Sequence, residues 1–203
     1  MKIIGLCGQS GSGKSSVSKT LMQNGIPVLN TDDLYHDLIN DPLSSCTKAL
    51  VQAFGSSILA TNGAINRSVL REMVFGVGNE ENLHLLNSIS HACVKKETMV
   101  WILEHEKQKF EYVCLDVPLL FESEMNLMCD ITVAVISSQK VQIERIMARD
   151  GVNAEDAQNR LASQISNEQL TLLCDYTITN IGTLEDLKKQ VEMFLKKFKT
   201  EYE

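Results

Sequence analysis

The sequence predicts an α/β fold in three layers, with a five-stranded parallel sheet between helices. Three observations point there. Short apolar runs at 2–7, 27–30, 112–117, 131–136 and 176–179 read as strands buried on both faces, the pattern of parallel sheets. Stretches with apolar residues at helical spacing fill the gaps, and such alternation implies right-handed crossovers. A glycine-rich turn at 8–15 joins the first run directly to a helical stretch.

Taken in order, the first run is Ile3-Ile4-Gly5-Leu6-Cys7, and Val17, Leu21 and Met22 mark the helix that Gly25 ends. Leu50, Phe54 and Ile58 fall at i, i+4 and i+8, and Leu86, Ile89 and Cys93 line one face of a longer helix. Asn153 offers an N-cap to a polar helical segment. The last helix carries a stripe of Leu184, Leu187, Val191, Phe194, Leu195 and Phe198. Thr183 and Asp186 cap its start, and Lys196, Lys197 and Lys199 suit its negative end. The tail 200–203 is expected to fray. One crossover does not need the roughly eighty residues between the second and third strands, so 41–109 is expected to be an inserted helical subdomain. Segment 150–174 is expected to be a lid, which leaves 1–40, 110–149 and 175–200 as the core of a single domain.

At 203 residues the chain can bury a proper core, and 44% apolar with 22% charged residues is ordinary for a soluble protein. A net charge of −7 argues against nucleic acid or a membrane surface as partner, though not against an anionic substrate met by local arginines. The six cysteines are scattered without a C-x-x-C pair, which implies reduced thiols in the cytoplasm and no cysteine-rich metal site. The N-terminal apolar run is too short for a signal peptide and no stretch reaches transmembrane length. No obligate protein partner is implied.

Residues Gly8-Gln9-Ser10-Gly11-Ser12-Gly13-Lys14-Ser15 spell G-x-x-x-x-G-K-S between a strand and a helix, the context a phosphate-binding loop requires. Glycines such as Gly8, Gly11 and Gly13 let the backbone N–H groups point at phosphate oxygens, with Ser12 and Ser16 in the same turn. Lys14 reaches the β- and γ-phosphates, and Ser15 offers a hydroxyl to Mg²⁺. The ligand implied is a nucleoside triphosphate. Ligands of open α/β sheets collect at the carboxyl ends of strands. Asp32, just past the second strand, could accept the proton of an attacking hydroxyl or simply cap the helix starting near Leu34. Asp116 closes the third strand where a Mg²⁺-holding aspartate belongs, or it marks an ordinary core edge. Leu119, Leu120 and Phe121 after it are too apolar for a surface loop unless they wall a pocket. Arg145 and Arg149 share a helix face, and Arg160 and Gln164 share one in the lid segment. Such arginines can neutralise a transferring phosphoryl group, or they can lie solvated with Arg149 paired to Asp150. His36, His84, His91 and His105 lack metal-ligand spacing.

These pieces together resemble the dephospho-coenzyme A kinase family from end to end. The matching segments are 5–15, Val28-Leu29-Asn30-Thr31-Asp32, and Asn66-Arg67 with Leu70-Arg71 and Phe75. Further matches are Asp116-Val117-Pro118-Leu119-Leu120-Phe121-Glu122, Gln142-Ile143-Glu144-Arg145 with Arg149-Asp150, then Arg160 with Gln164, and Asp175-Tyr176 with Asn180-x-Gly182. The resemblance implies a nucleotide-kinase-like core, a helical substrate insertion and a lid. It implies transfer of the ATP γ-phosphate to the ribose 3′-hydroxyl of dephospho-coenzyme A, the last step of coenzyme A synthesis. It assigns Asp32 to binding and deprotonating that hydroxyl, Arg145 and Arg149 to meeting the ATP phosphates or stacking near the adenine, and Asn180 to the edge of the adenine pocket, with Lys14 on the phosphates. Arg67, His91, Leu119 and Leu120 fall to the acceptor, and Ser15 and Asp116 to Mg²⁺. Three departures stand out: Asn30 where the family often has aspartate, Ala92 after His91 where it has proline, and Leu170 where the lid usually carries a basic residue. A nucleoside or nucleotide kinase on the same scaffold, and a nucleotide switch, are the alternatives. The switch lacks an N-K-x-D motif, since Thr179-Asn180-Ile181-Gly182 has neither the lysine nor the aspartate.

Overall fold

The computed structural model describes residues 1–75 and 78–202, so Glu203 of the expected frayed tail lies outside the described residues. Contacts divide the chain into a core unit, Met1–Leu29 with Glu106–Glu203, and a helical unit, Asn30–His105. The helical unit thus starts earlier than the expected 41 and takes the helix Thr31–Asn40 with it.

In the core unit, β1 (Lys2–Cys7), β3 (Tyr112–Asp116), β4 (Ile131–Ile136) and β5 (Tyr176–Thr179) join β2 (Val28–Asn30) in a five-stranded sheet ordered β2-β3-β1-β4-β5. β1 pairs in parallel with both β3 and β4, and β4 with β5. The expected strands recur, with Pro27 and Val117 just outside them. Pro27 still accepts from the Cys114 N–H (2.8 Å), and Val117 donates to Leu6 O (2.9 Å). The connection from β1 runs to one side of the sheet, to β2, and that from its neighbour β3 runs to the other, to β4, so the carboxyl ends of these two strands flank a topological switch point, where such sheets bind ligands.

The apolar face of the sheet packs on α1 (Lys14–Gln23) and α9 (Leu184–Tyr202). Val17 and Leu21 of α1 meet Leu187, Val191, Phe194, Leu195 and Phe198 of α9 in one cluster with Ile4, Leu6 and Val133. Leu184 and Met22 are exposed instead: the core-facing stripe of α9 begins one turn in, at Leu187. Thr183 and Asp186 do cap α9 reciprocally, each backbone N–H donating to the other's side chain (3.0 and 3.2 Å). The helix does not fray at Thr200 but continues through Tyr202.

Segment 150–174, the expected lid, holds α7 (Ala154–Ala162), capped by Asn153 on the Asp156 N–H (2.9 Å), and α8 (Asn167–Leu173), opened by a Ser166–Gln169 capping box. Gln164 lies beyond the end of α7, so it does not share a helix face with Arg160. Ahead of them, α6 (Gln139–Asp150) buries Ile146 against Ala157 and Leu161.

The helical unit comprises α2 (Thr31–Asn40), α3 (Ser45–Phe54), α4 (Arg67–Val74) and most of α5 (Glu80–Lys107). Its own core gathers Ile39, Cys46, Leu50, Ile58, Ile65, Leu70 and Val74, with Leu86, Ile89 and Cys93 of α5 against them. Ile39 belongs to this cluster, which is why α2 goes with the helices. The Leu50–Phe54–Ile58 spacing is not one helix: Gly55 (φ +85°) ends α3 and a 3₁₀ turn, Ser56–Ile58, returns Ile58 to the same core. Among the described residues no helix is long and apolar enough to cross a membrane.

Candidate active site

A loop whose N–H groups face a phosphate turns its carbonyls outward, and buried carbonyls need donors. Three successive ones receive a side chain each. Gln142 Nε2 donates to Ser10 O (3.1 Å), Arg145 Nη1 to Gly11 O (3.0 Å) and Asn180 Nδ2 to Ser12 O (2.8 Å). Arg145 is therefore a buttress of the loop as well as a positive charge behind it. Asn180, buried at the end of β5, spends its amide on the loop rather than on an open pocket. Segment 150–174 is tied in as well: Gln164 accepts from the Ser10 N–H (2.9 Å) and Gln9 Nε2 donates to Leu161 O (3.2 Å). Asn167 Nδ2 donates to Gln142 Oε1 (3.0 Å) and to Ser137 O (2.8 Å). Gln142 and Asn167 had no local signal as loop residues, because they lie far from it in sequence.

The glycines at the tightest points cannot be replaced. At Gly11 (φ +74°) an added Cβ would stand 2.6 Å from Gln142 O. At Gly13 (φ +99°) it would stand 2.1 Å from Asn180 Nδ2. Gly13→Ala must expel the Asn180 amide and also adopt a backbone region costing about 1–2 kcal/mol for an L side chain. Orphaning the Ser12 carbonyl adds about 1–3 kcal/mol. The expected result is at least a tenfold weaker ATP affinity by calorimetric titration, together with a lower melting temperature.

Lys14, the first residue of α1, places Nζ 3.6 Å from Asp116 Oδ1, and Ser18 Oγ donates to Asp116 Oδ2 (2.7 Å). Asp116, 2% exposed, thus ends β3 beside the phosphate loop, as its spacing suggested. The buried Ser12 hydroxyl finds no hydrogen-bond partner among the described residues. Ser15 on the first turn of α1 is exposed. The donors near the loop are hydroxyl and carboxylate oxygens, and no cluster of three His, Cys, Asp or Glu that could cage a metal occurs among the described residues. That suits Mg²⁺, which takes one or two protein oxygens and completes its shell with water and phosphate.

Arg145 and Arg149 go to different partners. Arg149 grips Asp150 with Nε on Oδ1 (2.7 Å) and Nη2 on Oδ2 (2.9 Å), and Arg160 of α7 bonds the same carboxylate. The hydrogen bonds from Arg149 and then Arg160 pull the Asp150 carboxyl down to about 2. A depressed carboxyl keeps its pairing above the ordinary carboxylate range and loses it only as pH falls toward that value, so the two guanidiniums stay clamped at any working pH.

In the helical unit Asn30 caps α2, its Oδ1 accepting from the Asp32 (2.9 Å) and Asp33 (3.1 Å) N–H groups. Asp32 therefore does not cap that helix. It sits exposed in the first turn, directly after β2. Asn66 caps α4 in the same way, which puts Arg67 at the helix start and its guanidinium on His36 Nε2. His91 lies half-buried on α5. Leu119 is 43% exposed, but Leu120 is wholly buried over Gly5, where its Cδ2 would be 3.3 Å from an added Cβ. The expectation that Leu120 walls the acceptor is thus corrected: it packs the core beneath the loop. Leu170, replacing a basic residue, is buried too and lines a small void of about 10 Å³ with Cys7, Leu120 and Gln164.

A buttressed phosphate loop at the switch point of a parallel sheet, with a buried aspartate beside it and Arg145 behind it, defines a P-loop kinase. The dephospho-CoA kinase family model matches residues 2–186. The chain belongs to the dephospho-CoA kinase family. It is 41% identical over 192 residues to the dephospho-CoA kinase of Fusobacterium nucleatum subsp. nucleatum, covering 95% of this chain and 96% of that one. Against the Carboxydothermus hydrogenoformans dephospho-CoA kinase it is 35% identical over 199 residues, covering 98% and 95%. The crystal structure of TT1252 from Thermus thermophilus superposes with a TM-score of 0.75 at 28% identity, covering 97% of each chain.

Proposed function

We propose that the chain transfers the ATP γ-phosphate to the ribose 3′-hydroxyl of dephospho-coenzyme A. The observation that carries this reading is the set of three side-chain donors on the Ser10, Gly11 and Ser12 carbonyls, which holds the loop in its phosphate-receiving shape before any ligand arrives. Gly8, Gly11, Ser12, Gly13, Lys14, Ser15 and Ser16 cradle the phosphates. Ser15 and Asp116 would hold Mg²⁺, which when bound neutralises charge on the β- and γ-phosphates. Arg145 and Arg149, the latter still paired with Asp150, serve the transferring group. Asp32 accepts the proton of the attacking hydroxyl, and its place at the start of α2 supports the role, because Asn30 already supplies the cap. Arg67, His91 and the exposed Leu119 serve the acceptor. The six free cysteines suit the cytoplasm, where thiols stay reduced.

The test is ADP release with ATP, Mg²⁺ and separate acceptors: dephospho-coenzyme A, adenosine, AMP, CMP and uridine. Turnover confined to dephospho-coenzyme A, with the phosphate located on the 3′-oxygen by mass spectrometry, is expected. Preferred turnover of a nucleoside or nucleotide would overturn the acceptor, and ATP binding without any turnover would favour a switch.

A further inference from the structure

Two thiols meet beside the phosphate loop without any task in phosphoryl transfer. Cys7 is the last residue of β1, immediately before Gly8, and Cys174 ends α8 at the exit of the lid. Their sulfurs stand 3.4 Å apart. Bond formation needs about 2.05 Å, an approach that the less buried Cys174 is placed to supply. Cys7 is almost fully buried and its backbone is held in register with Ala134 of β4. Cys174 is partly exposed.

We propose that Cys7 and Cys174 form a peroxide-responsive dithiol site whose disulfide pins the lid exit to the phosphate-loop strand and slows turnover. Cys174 is the attacking group. Its thiol is lowered chiefly by the hydrogen bond to Cys7, while that same bond and burial push the Cys7 thiol up, so the shared proton rests on Cys7. The Cys174 thiolate attacks one peroxide oxygen, forming an S–O bond as the O–O bond breaks, and the released hydroxide is protonated to water. The Cys7 sulfur then attacks Cys174 Sγ, forming S–S as S–O breaks, and the departing hydroxide takes the Cys7 proton. Two thiols are oxidised to one disulfide, and one peroxide is reduced to two waters.

The position explains the expected effect. Directly after Cys174, Asp175 is anchored to β4: its carboxylate accepts from the Thr132 N–H (2.8 Å) and hydroxyl (2.7 Å). Cys174 is thus the last residue of the lid before a fixed point, where hinge rotation is concentrated. A bridge from there to Cys7 removes that rotation. The effect on turnover rests on the lid reading above, whereas the bridge itself does not.

The experiment treats the purified chain with a small molar excess of hydrogen peroxide, alkylates, and maps tryptic peptides without reduction. Peptides 3–14 and 161–188 carry Cys7 and Cys174 as their sole cysteines. The expected result is a 3–14/161–188 cross-link, with turnover falling about tenfold and returning on dithiothreitol. Cys174→Ser should keep the turnover of the untreated enzyme and lose the response. Recovery of Cys174 as sulfinic acid or as the alkylated thiol would overturn the site, as would equal inhibition of Cys174→Ser. A cross-link that leaves turnover unchanged would overturn the lid restraint. A chain inactive before oxidation condemns the acceptor assignment instead, because the cross-link is read by mass alone.

Discussion

Lys14→Ala is expected to lower turnover about a thousandfold, the scale on which a preorganised charge at a developing phosphoryl oxyanion contributes. The loss has two sources. On the proposed reading the ammonium that serves the β- and γ-phosphates is gone, and Asp116 keeps its buried carboxylate with the lysine 3.6 Å away deleted. That carboxylate then repels the triphosphate it should help to hold, so ATP affinity falls along with turnover. Removing one partner of a buried pair costs up to about 3–5 kcal/mol, and the Ser18 hydroxyl on Oδ2 offsets only part of it. A drop of several degrees in the melting temperature of the ligand-free protein should accompany the kinetic defect. Lys14→Arg keeps the charge but not the compact ammonium, and should restore stability more than turnover. Turnover of Lys14→Ala within tenfold of the parent would remove the residue from the phosphate site.

Asp32→Asn should separate chemistry from binding. General-base catalysis contributes about 10²–10⁴-fold, and turnover is expected to fall by that factor while the ATP dissociation constant stays within about twofold. Stability should hardly move. Asp32 is exposed, and its N–H is fixed by Asn30 whatever side chain it carries. The lost charge at the helix start is worth only about 0.3–1 kcal/mol. The kinetic split is the deciding measurement: kcat reduced with an unchanged ATP KM supports the base, whereas kcat retained assigns the proton to another acceptor.

Local pattern carried the strands and the loop into view. Buried parallel strands are apolar throughout, so 2–7, 131–136 and 176–179 could be bounded from the sequence to the residue. The Thr183–Asp186 cap was legible because both partners sit within one helical turn. What escaped was long-range. The carbonyls of Ser10, Gly11 and Ser12 are satisfied by Gln142, Arg145 and Asn180, at sequence separations of 132, 134 and 168, and no local spacing announces such a bond. Asn30 read as a departure from a family pattern, yet an asparagine accepts the first-turn N–H groups as well as an aspartate does. Gly55 broke a helix that periodicity alone extended, since the apolar residues on either side return to one core by a 3₁₀ turn. Leu120 was misplaced because an apolar run after a strand looks the same whether it lines a ligand or roofs a glycine.

The strand order also sets a timetable for synthesis. β1 lies at the middle of the sheet, yet both of its ladder partners, Tyr112–Asp116 and Ile131–Ile136, are made much later. At about 5–20 residues per second, the ribosome needs on the order of ten seconds to cover that distance. Meanwhile the helical unit, whose cluster from Ile39 to Cys93 lies entirely within Asn30–His105, can close on itself. The apolar segment Ile3–Leu6 waits with its backbone edges unpaired, a template for wrong partners. Nucleotide binding comes late in synthesis, because the loop that follows β1 is not braced until Asn180 emerges.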